Sequence, residues 1–302
     1  MGRILWLMAG HPAGDKERII MGNIMKIGGR KVGPGQPVFV IAEIGLNHHG
    51  DMKTAKRLID SAARAGVDAV KFQTYITEKR TFAGSPIFDI LRKCELPFSC
   101  FKELKDHAAR KGVIFFSTPF DEDSLAYLEK IKVPCYKVAS FDVVNHKFLK
   151  QVAATGKPVI LSVGMSDLKE IKAAYKILSS HTQQVALLHC ISAYPTEEKD
   201  ANLSAIALLK DAFDGVVRQS DHTADIVVPL YAVAAGARII EKHYKIDDQF
   251  DCVDAPVSIT QEQMQNLVIQ IKRVEGMLGA GSLGVRHAEK GCKVFRRHAG
   301  LK

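Results

Sequence analysis

The chain has 302 residues, of which 47% are hydrophobic and 25% charged, a composition typical of a soluble globular protein with one large core. Its formal net charge of +9 comes from the two ends: residues 1–31 carry six Lys or Arg against two acidic residues, and residues 286–302 carry six against one. Because the body between these ends is neutral, an extended basic groove for nucleic acid is not expected.

The cysteines and the N-terminal stretch indicate the compartment. The six cysteines include no Cys-x-x-Cys pair, and several lie in apolar segments, where free cysteine packs as a small hydrophobe. The apolar run near the N-terminus is short and is followed by the charged residues 15–18, which makes a poor signal peptide, and no window reaches the roughly 18–20 apolar residues of a membrane span. We therefore expect a reduced, cytoplasmic protein that does not bind a membrane.

From residue 38 onward, short apolar runs alternate with segments of helical period. Continuous apolar character is typical of parallel strands that are covered on both faces. The runs are residues 38–42, 67–71, 113–116, 135–138, 159–162, 185–189, 215–218 and 238–241. Eight β/α units of this size predict the α/β class and a TIM (β/α)8 barrel. A doubly wound open sheet is the alternative, although no Gly-x-Gly-x-x-Gly follows a strand.

The remaining segments complete the predicted domain organisation. Residues 1–30 are interpreted as an N-terminal extension, residues 31–283 as the barrel and residues 284–302 as a basic linker or tail. Residues 74–97, which follow the second strand, are too many for an ordinary βα loop. This segment is therefore predicted to form a lid or rim element.

Polar side chains follow almost every predicted strand, where a TIM barrel builds its active site. Two of them, Lys71 and Lys137, would converge on one rim with several hydroxyls. An ammonium group is a point charge for phosphate, and serine hydroxyls complete such a cradle. Together with Ser140, Ser162 and Ser220 the two lysines predict a site for a phosphorylated substrate. The alternative is that a lysine forms only a salt bridge at the rim.

Two histidines end the last two predicted strands. His222 and His243 would meet at the rim, and two imidazoles leave positions on a divalent metal for substrate and water. The alternative is a hydrogen-bonded structural imidazole. Asp221 and Glu241 flank the pair and are expected to act as its partners or to balance its charge. Of the adjacent His48 and His49, only one is expected to face the site.

Seven ordered motifs between about residues 36 and 280 resemble the sialic acid synthase family. This family includes N-acetylneuraminate, legionaminic and pseudaminic acid synthases and related spore-coat polysaccharide enzymes. The motifs are Ala42–Asp51, Val70–Thr74, Ser117–Asp121, Tyr136–Ser140, Ser192–Pro195, Ser220–Thr223 and Glu241–His243. The resemblance implies a metal-dependent TIM barrel that condenses phosphoenolpyruvate with a 2-acetamido-hexose, giving a nine-carbon 2-keto acid and phosphate.

The resemblance also implies roles for individual residues. His222 and His243 correspond to the Mn²⁺ or Mg²⁺ ligands. As a hypothesis of our own, Glu43 is the proton-transfer group near the acceptor aldehyde. The residues expected to bind phosphoenolpyruvate are Lys71, Lys137, Ser140, Ser162, Ser192 and Ser220. The sugar-contacting set is Glu43, Gln73, Tyr194 and Asp254, of which Asp254 lies in a looser match. Ser192 stands where other members also have Asn.

Family members usually continue past a basic linker into a small antifreeze-like domain, which in a swapped dimer lends an Arg to the partner's sugar site. The present sequence ends at Lys302. The resemblance therefore predicts a homodimer, and weak sugar binding by the barrel unless loops such as residues 74–97 replace that cover.

Other functions remain open at this level. One is a different phosphoenolpyruvate-dependent keto-acid synthase or a class II aldolase, and another is a barrel that binds sugar or phosphate without turnover. The sequence does not distinguish N-acetylmannosamine from related amino sugars as the acceptor.

Overall fold

The computed structural model describes residues 24–213, 216–279 and 281–297. The main body is a closed barrel of eight parallel strands, which confirms the predicted fold. The barrel strands are β3 (Phe39–Gly45), β4 (Ala69–Thr74), β5 (Ile114–Pro119), β6 (Tyr136–Val138), β7 (Val159–Ser162), β8 (Val185–His189), β9 (Val216–Asp221) and β10 (Ile239–His243). Each predicted apolar run overlaps one of them, although residue 215 itself lies outside the described residues.

The register of the strands aligns the site residues at one end of the barrel. Strand β3 pairs with β10 so that Glu43 lies opposite His243, and with β4 so that Glu43 lies opposite Lys71. Because all strands are parallel, their carboxyl ends meet at the same rim. Residues far apart in the chain are therefore brought to neighbouring positions.

Helices surround the strands and bury their apolar faces. They are α1 (Met52–Ala65), α4 (Phe98–Arg110), α5 (Glu122–Lys130), α6 (His146–Ala154), α7 (Leu168–Leu178), α8 (Ala205–Ala212), α9 (Val227–Ala234) and α10 (Gln261–Leu278). Helix α1 shows how the sequence sets their bounds. The Asp51 carboxylate accepts from Thr54 N at its start, and Gly66 ends it in the left-handed region at φ 84°. The main core lies between this ring and the strands.

The long segment after β4 contains two short helices, α2 (Thr77–Arg80) and α3 (Phe88–Cys94). It packs at the carboxyl end of the barrel, where Ile87, Ile90 and Leu91 line a cavity. The predicted rim element is thus present.

The opposite end of the barrel is closed by a β-hairpin, β1 (Met25–Ile27) and β2 (Arg30–Val32). Met25, Ile27 and Val32 are buried against inward side chains of the barrel strands. The hairpin spans the predicted boundary between residues 30 and 31. Strands of three residues are too short for their alternation to be recognised in the sequence. Residues 1–23 of the predicted extension lie outside the described residues.

The C-terminal part of the described chain is exposed. A 3-10 helix spans His287–Phe295, and its side chains are open to solvent. The last residues of the predicted basic tail, 298–302, lie outside the described residues. Within the described ranges, no helix combines the length and the apolar character needed to cross a bilayer.

Candidate active site

A cavity of about 320 Å³ opens at the carboxyl ends of the barrel strands. With one exception, the predicted site residues line it: Glu43, Lys71, Gln73, Lys137, Ser140, Ser162, Tyr194, Ser220, His222, His243 and Asp254. The exception is Ser192, which is not part of the lining but contacts a lining residue, since its Oγ lies 3.0 Å from Ser140 Oγ. The barrel therefore gathers residues from positions 43 to 254 into one site.

Two buried lysines share carboxylates on one side of this cavity. Lys71 Nζ lies 2.9 Å from Glu43 Oε2 and 3.7 Å from Glu241 Oε1, and Lys137 Nζ donates to the same Glu241 oxygen at 3.0 Å. Ser220 Oγ also donates to Glu241 Oε1, at 2.9 Å. The lysines thus form ion pairs, but these pairs lie in the cavity and are buried, so they differ from a solvated rim salt bridge.

The ion pairs shift the pKa values of their members. Burial alone would raise the pKa of Glu241, but the ammonium groups of Lys137 and Lys71 hold it at about 2. Burial opposes the charge on Lys71 as well, yet Glu241 and Glu43 raise its pKa. The pKa of Lys137 is lowered, because burial outweighs the attraction of Glu241 and the Lys71 charge adds repulsion. An anion entering the cavity would therefore stabilise the charge on Lys137 in particular.

The hydroxyls beside the lysines have capacity to bind a ligand. Ser162 Oγ is buried, and apart from the Cys190 thiol it has no hydrogen-bond partner among the described residues. The adjoining loop approaches closely, because a Cβ on Gly164 would lie 2.5 Å from Ser192 Oγ. The hydroxyls and ammonium groups together form the kind of donor set that binds an anion.

The two predicted metal ligands lie side by side at the cavity wall. The ring centroids of His222 and His243 are 5.5 Å apart, and the Tyr194 ring lies 4.2 Å from that of His222. His222 Nδ1 lies 2.6 Å from the Ile191 carbonyl oxygen, so it is the donor and leaves the lone pair on Nε2. Burial lowers the pKa of His222 to about 3, which keeps this imidazole neutral. A neutral imidazole with its second nitrogen anchored is the usual form of a metal ligand.

His243 has a longer polar contact, since its Nδ1 lies 3.3 Å from Asp254 Oδ2. A carboxylate beside the distal nitrogen is a common partner of metal-binding histidine. Within the described ranges, no group of three or more His, Cys, Asp or Glu is arranged to hold a metal. Two adjacent imidazoles are a donor set suited to a divalent ion that keeps positions for substrate and water.

Gln73 and Arg80 form a chain of hydrogen bonds to Glu43. Gln73 Nε2 donates to Glu43 Oε1 at 3.1 Å, and Arg80 donates to Gln73 Oε1 at 2.9 Å. Asp254 Oδ2 lies so close to β3 that a Cβ on Gly45, at φ 54°, would be 2.6 Å from it. These contacts hold Gln73 and Asp254, two of the side chains that the family resemblance assigns to the sugar.

Arg80 lines the cavity but was not predicted as a site residue. The one indication in the sequence was its place in the long segment after β4. Burial lowers the pKa of its guanidinium, while Tyr75, Asp254, Glu43 and other neighbours oppose that shift. An arginine remains charged under these conditions.

The structure contradicts two expectations for residues near the site. Asp221 does not partner a histidine, because its carboxylate pairs with Lys242 Nζ at 2.6 Å beneath the rim. Neither His48 nor His49 lines the cavity. His48 is buried and stacks on Phe72, whereas His49 Nε2 contacts the Asp251 carbonyl oxygen. The loop after β3 coils, so the alternation expected of an extended segment does not hold there.

The sequence matches the NeuB family over residues 58–283. The chain belongs to the NeuB family. An uncharacterized protein of Methanocaldococcus jannaschii is 45% identical over 258 residues, which span 85% of this chain and 77% of that protein. The N,N'-diacetyllegionaminic acid synthase of Campylobacter jejuni is 36% identical over 259 residues, which span 80% of this chain and 78% of that enzyme. This confirms the predicted resemblance.

A solved structure shows the same architecture as this NeuB-family chain. It is the N-acetylneuraminic acid (sialic acid) synthetase of Leptospira borgpetersenii serovar Hardjo-bovis in complex with citrate. The TM-score is 0.89 at 38% identity, and the match covers 93% of this chain and 99% of that one. The relatives with named functions are synthases, and this NeuB-family chain is an enzyme of that class.

Proposed function

We propose that this NeuB-family enzyme condenses phosphoenolpyruvate with N-acetylmannosamine or a related 2-acetamido-hexose in a reaction that depends on Mn²⁺ or Mg²⁺. The products would be a nine-carbon 2-keto acid of the sialic acid type and phosphate. One observation carries the proposal: a pair of buried lysines and a pair of imidazoles face the same cavity. The names of its relatives, which include legionaminic and sialic acid synthases, support the substrate class.

Phosphoenolpyruvate is assigned to the side of the cavity that carries the ammonium groups. Lys71 and Lys137 would pair with its phosphate and carboxylate, and the hydroxyls of Ser140, Ser162 and Ser220 would donate to the remaining oxygens. Glu241 holds both lysines in place before the substrate arrives. Its buried charge compensates the two cations, so the empty cavity does not carry an uncompensated double positive charge.

The acceptor sugar is assigned to the side with Tyr194, Gln73 and Asp254. A divalent ion held by His222 and His243 would supply a Lewis acid for the acceptor carbonyl and a source of nucleophilic water. The reaction forms a bond between C3 of phosphoenolpyruvate and the acceptor aldehyde carbon, adds water at C2, and breaks the C2–O bond that releases phosphate. Glu43 is placed by Lys71 and Gln73 to exchange a proton with the new hydroxyl.

The experiment is a set of reactions with phosphoenolpyruvate and a panel of N-acetylated hexosamines, including N-acetylmannosamine and its 6-deoxy diamino analogues. Phosphate release and the mass of the product are measured after chelation and after addition of Mn²⁺ or Mg²⁺. We expect one phosphate for each keto acid formed, and activity that returns with the metal. Keto acid formed when pyruvate replaces phosphoenolpyruvate would indicate an aldolase, and binding without turnover would indicate a non-catalytic barrel.

The metal assignment has its own control. His222→Ala and His243→Ala are each expected to lose metal-dependent turnover while the fold is kept, whereas His181→Ala, on an exposed turn, should match the parent enzyme. Full activity of either site variant in chelator would show that the two imidazoles are structural.

A further inference from the structure

Arg80 lines the active-site cavity, yet the proposed chemistry gives it no task. It is the last residue of the short helix α2, and its guanidinium carbon lies 3.8 Å from the centroid of the Phe120 ring and 4.6 Å from that of Tyr75. Two aromatic faces therefore hold the group in place, since a guanidinium is attracted to the face of a ring. The Tyr75 hydroxyl is itself fixed, because it donates to the Leu91 carbonyl oxygen at 2.9 Å.

Most of the hydrogen-bonding capacity of Arg80 is not used by the described residues. A guanidinium has five N–H donors. Among the described residues one hydrogen bond is formed, from Nη1 to Gln73 Oε1 at 2.9 Å, and no carboxylate is in ion-pair contact with Arg80. A held cation with open donors at a cavity wall is an arrangement suited to a ligand oxygen.

The charges around Arg80 indicate the type of oxygen. The carboxylates of Asp254, Glu43 and Asp142 act on the guanidinium from a distance and offset its charge. A second phosphate placed here would be repelled by these carboxylates, whereas a neutral carbonyl oxygen would not. The same cavity also has apolar lining, which includes Ile87, Ile90 and Val253.

We propose that Arg80 binds the acceptor through the carbonyl oxygen of its acetamido group, with the methyl group packed against the apolar side chains of the rim segment. The inference rests on the proposed function and specifies which residue selects an N-acylated sugar. The N–H donors of Arg80 suit the carbonyl oxygen of an acetamido group, and the apolar side chains of the lining suit its methyl group. The barrel would thus supply from its own rim a guanidinium for acceptor recognition.

The test combines a change in the enzyme with a change in the substrate. The best acceptor found with the parent enzyme is compared with the same sugar carrying a hydroxyl in place of the 2-acetamido group, using parent, Arg80→Gln and Arg80→Lys. We expect Arg80→Gln to lower kcat/KM for the acetamido sugar by about 10- to 100-fold and for the hydroxyl sugar by less than about threefold. Arg80→Lys keeps the positive charge but not the planar set of N–H donors, so its kcat/KM for the acetamido sugar should lie between those of the parent and Arg80→Gln. The KM for phosphoenolpyruvate should stay within about twofold.

The matched control is Arg57→Gln, on the exposed face of α1, which should leave all constants unchanged. An equal loss with both sugars would mean that Arg80 only orients Gln73, and would overturn the assignment. A loss confined to acceptors that carry a 6-phosphate would overturn it as well and identify a phosphate site. If the parent enzyme itself releases no phosphate with any hexosamine, the proposed function fails, and this inference with it.

Discussion

At the level of single residues, the charged side chains that line the cavity compensate one another. Glu241 accepts from both Lys137 and Ser220 and lies 3.7 Å from Lys71, and its second oxygen has no partner among the described residues. Removing one member of such a cluster leaves another buried without its partner, which is more damaging than removing both. Binding and folding effects must therefore be separated by paired variants.

Lys137 provides the first prediction. Lys137→Met should raise the KM for phosphoenolpyruvate by at least about 30-fold, because a charge-assisted contact of about 2 kcal/mol is lost. It should leave the KM for the sugar nearly unchanged. The single variant should also unfold more easily in urea, since Glu241 loses its main partner. The double variant Lys137→Met, Glu241→Gln should recover stability but not phosphoenolpyruvate binding. An unchanged KM in both would place the anion site elsewhere.

His48 provides a prediction about pH. Burial lowers its pKa to about 4, with a smaller contribution from His49, and its Nε2 has no partner among the described residues. Between the ordinary value of about 6.5 and the folded value, the unfolded chain binds the proton and the folded chain does not, so stability falls as pH falls through this window. His48 should account for about 2 kcal/mol of stability lost between pH 7 and pH 5.

The check is urea unfolding at both pH values. His48→Gln keeps an acceptor for the Gly50 N–H, which donates to His48 Nδ1 at 3.1 Å, and should lose less stability than the parent over this range. His146→Gln, on the exposed part of α6, should behave as the parent does. Identical pH dependence in His48→Gln and the parent would show that the pKa of His48 is the same in the folded and unfolded chain.

At the scale of elements, the rim segment with α2 and α3 is held to the barrel by close backbone contact and by buried polar anchors. Glu95 Oε2 accepts from Thr77 N at 2.9 Å, and Asp121 Oδ2 accepts from Ile76 N at 2.9 Å. On the other side, a Cβ on Gly50 would lie 2.5 Å from the Lys93 carbonyl oxygen. Asp121 and Gly50, which lie outside the segment that carries Arg80, therefore help to position it, whereas Glu95 stabilises it from within.

Gly50→Ala should displace the end of α3, because neither the backbone at φ 70° nor the Lys93 carbonyl leaves room for a methyl group. We expect a raised KM for the acceptor sugar and a loss of stability of more than about 2 kcal/mol. Gly112→Ala is the matched control, since its φ is 76° but nothing lies within 4 Å of the added Cβ. That variant should lose about 1 kcal/mol and keep the parent KM. Equal effects in the two variants would mean that left-handed strain alone matters.

At the scale of the whole molecule, the barrel is open to substrate at one end and closed by the β1–β2 hairpin at the other. The hairpin side chains belong to the inner core, together with Phe39, Ile41 and Ile239 on the barrel strands. Arg30 adds an ion pair to Asp68, whose carboxylate also accepts from Val40 N at 2.8 Å. The hairpin therefore stabilises the strands from which the site residues project.

Ile27→Ala should destabilise the protein by about 3 kcal/mol, because a fully buried side chain is truncated where the barrel cannot collapse around the cavity. Lys26→Ala, the neighbouring exposed residue, should change stability by less than about 0.5 kcal/mol. Kinetic constants of both should match the parent at low temperature, since the hairpin lies at the end of the barrel opposite the site. Thermal and urea unfolding provide the measurement. A small effect of Ile27→Ala would mean that the hairpin is docked only loosely.

The barrel fold could be predicted from the sequence alone, as could most of the polar residues that line the cavity. Apolar runs report strands buried on both faces, and residues such as Lys71 and His243 are predicted because parallel strands must end at one rim. Tertiary structure decided what depends on contacts across the barrel: the sharing of Glu241 by two lysines, the pairing of Asp221 with Lys242, and the closure of the base by residues 25–32. These contacts join residues far apart in the chain, and their partners are set by register and side-chain packing, which the local pattern of a single sequence does not encode.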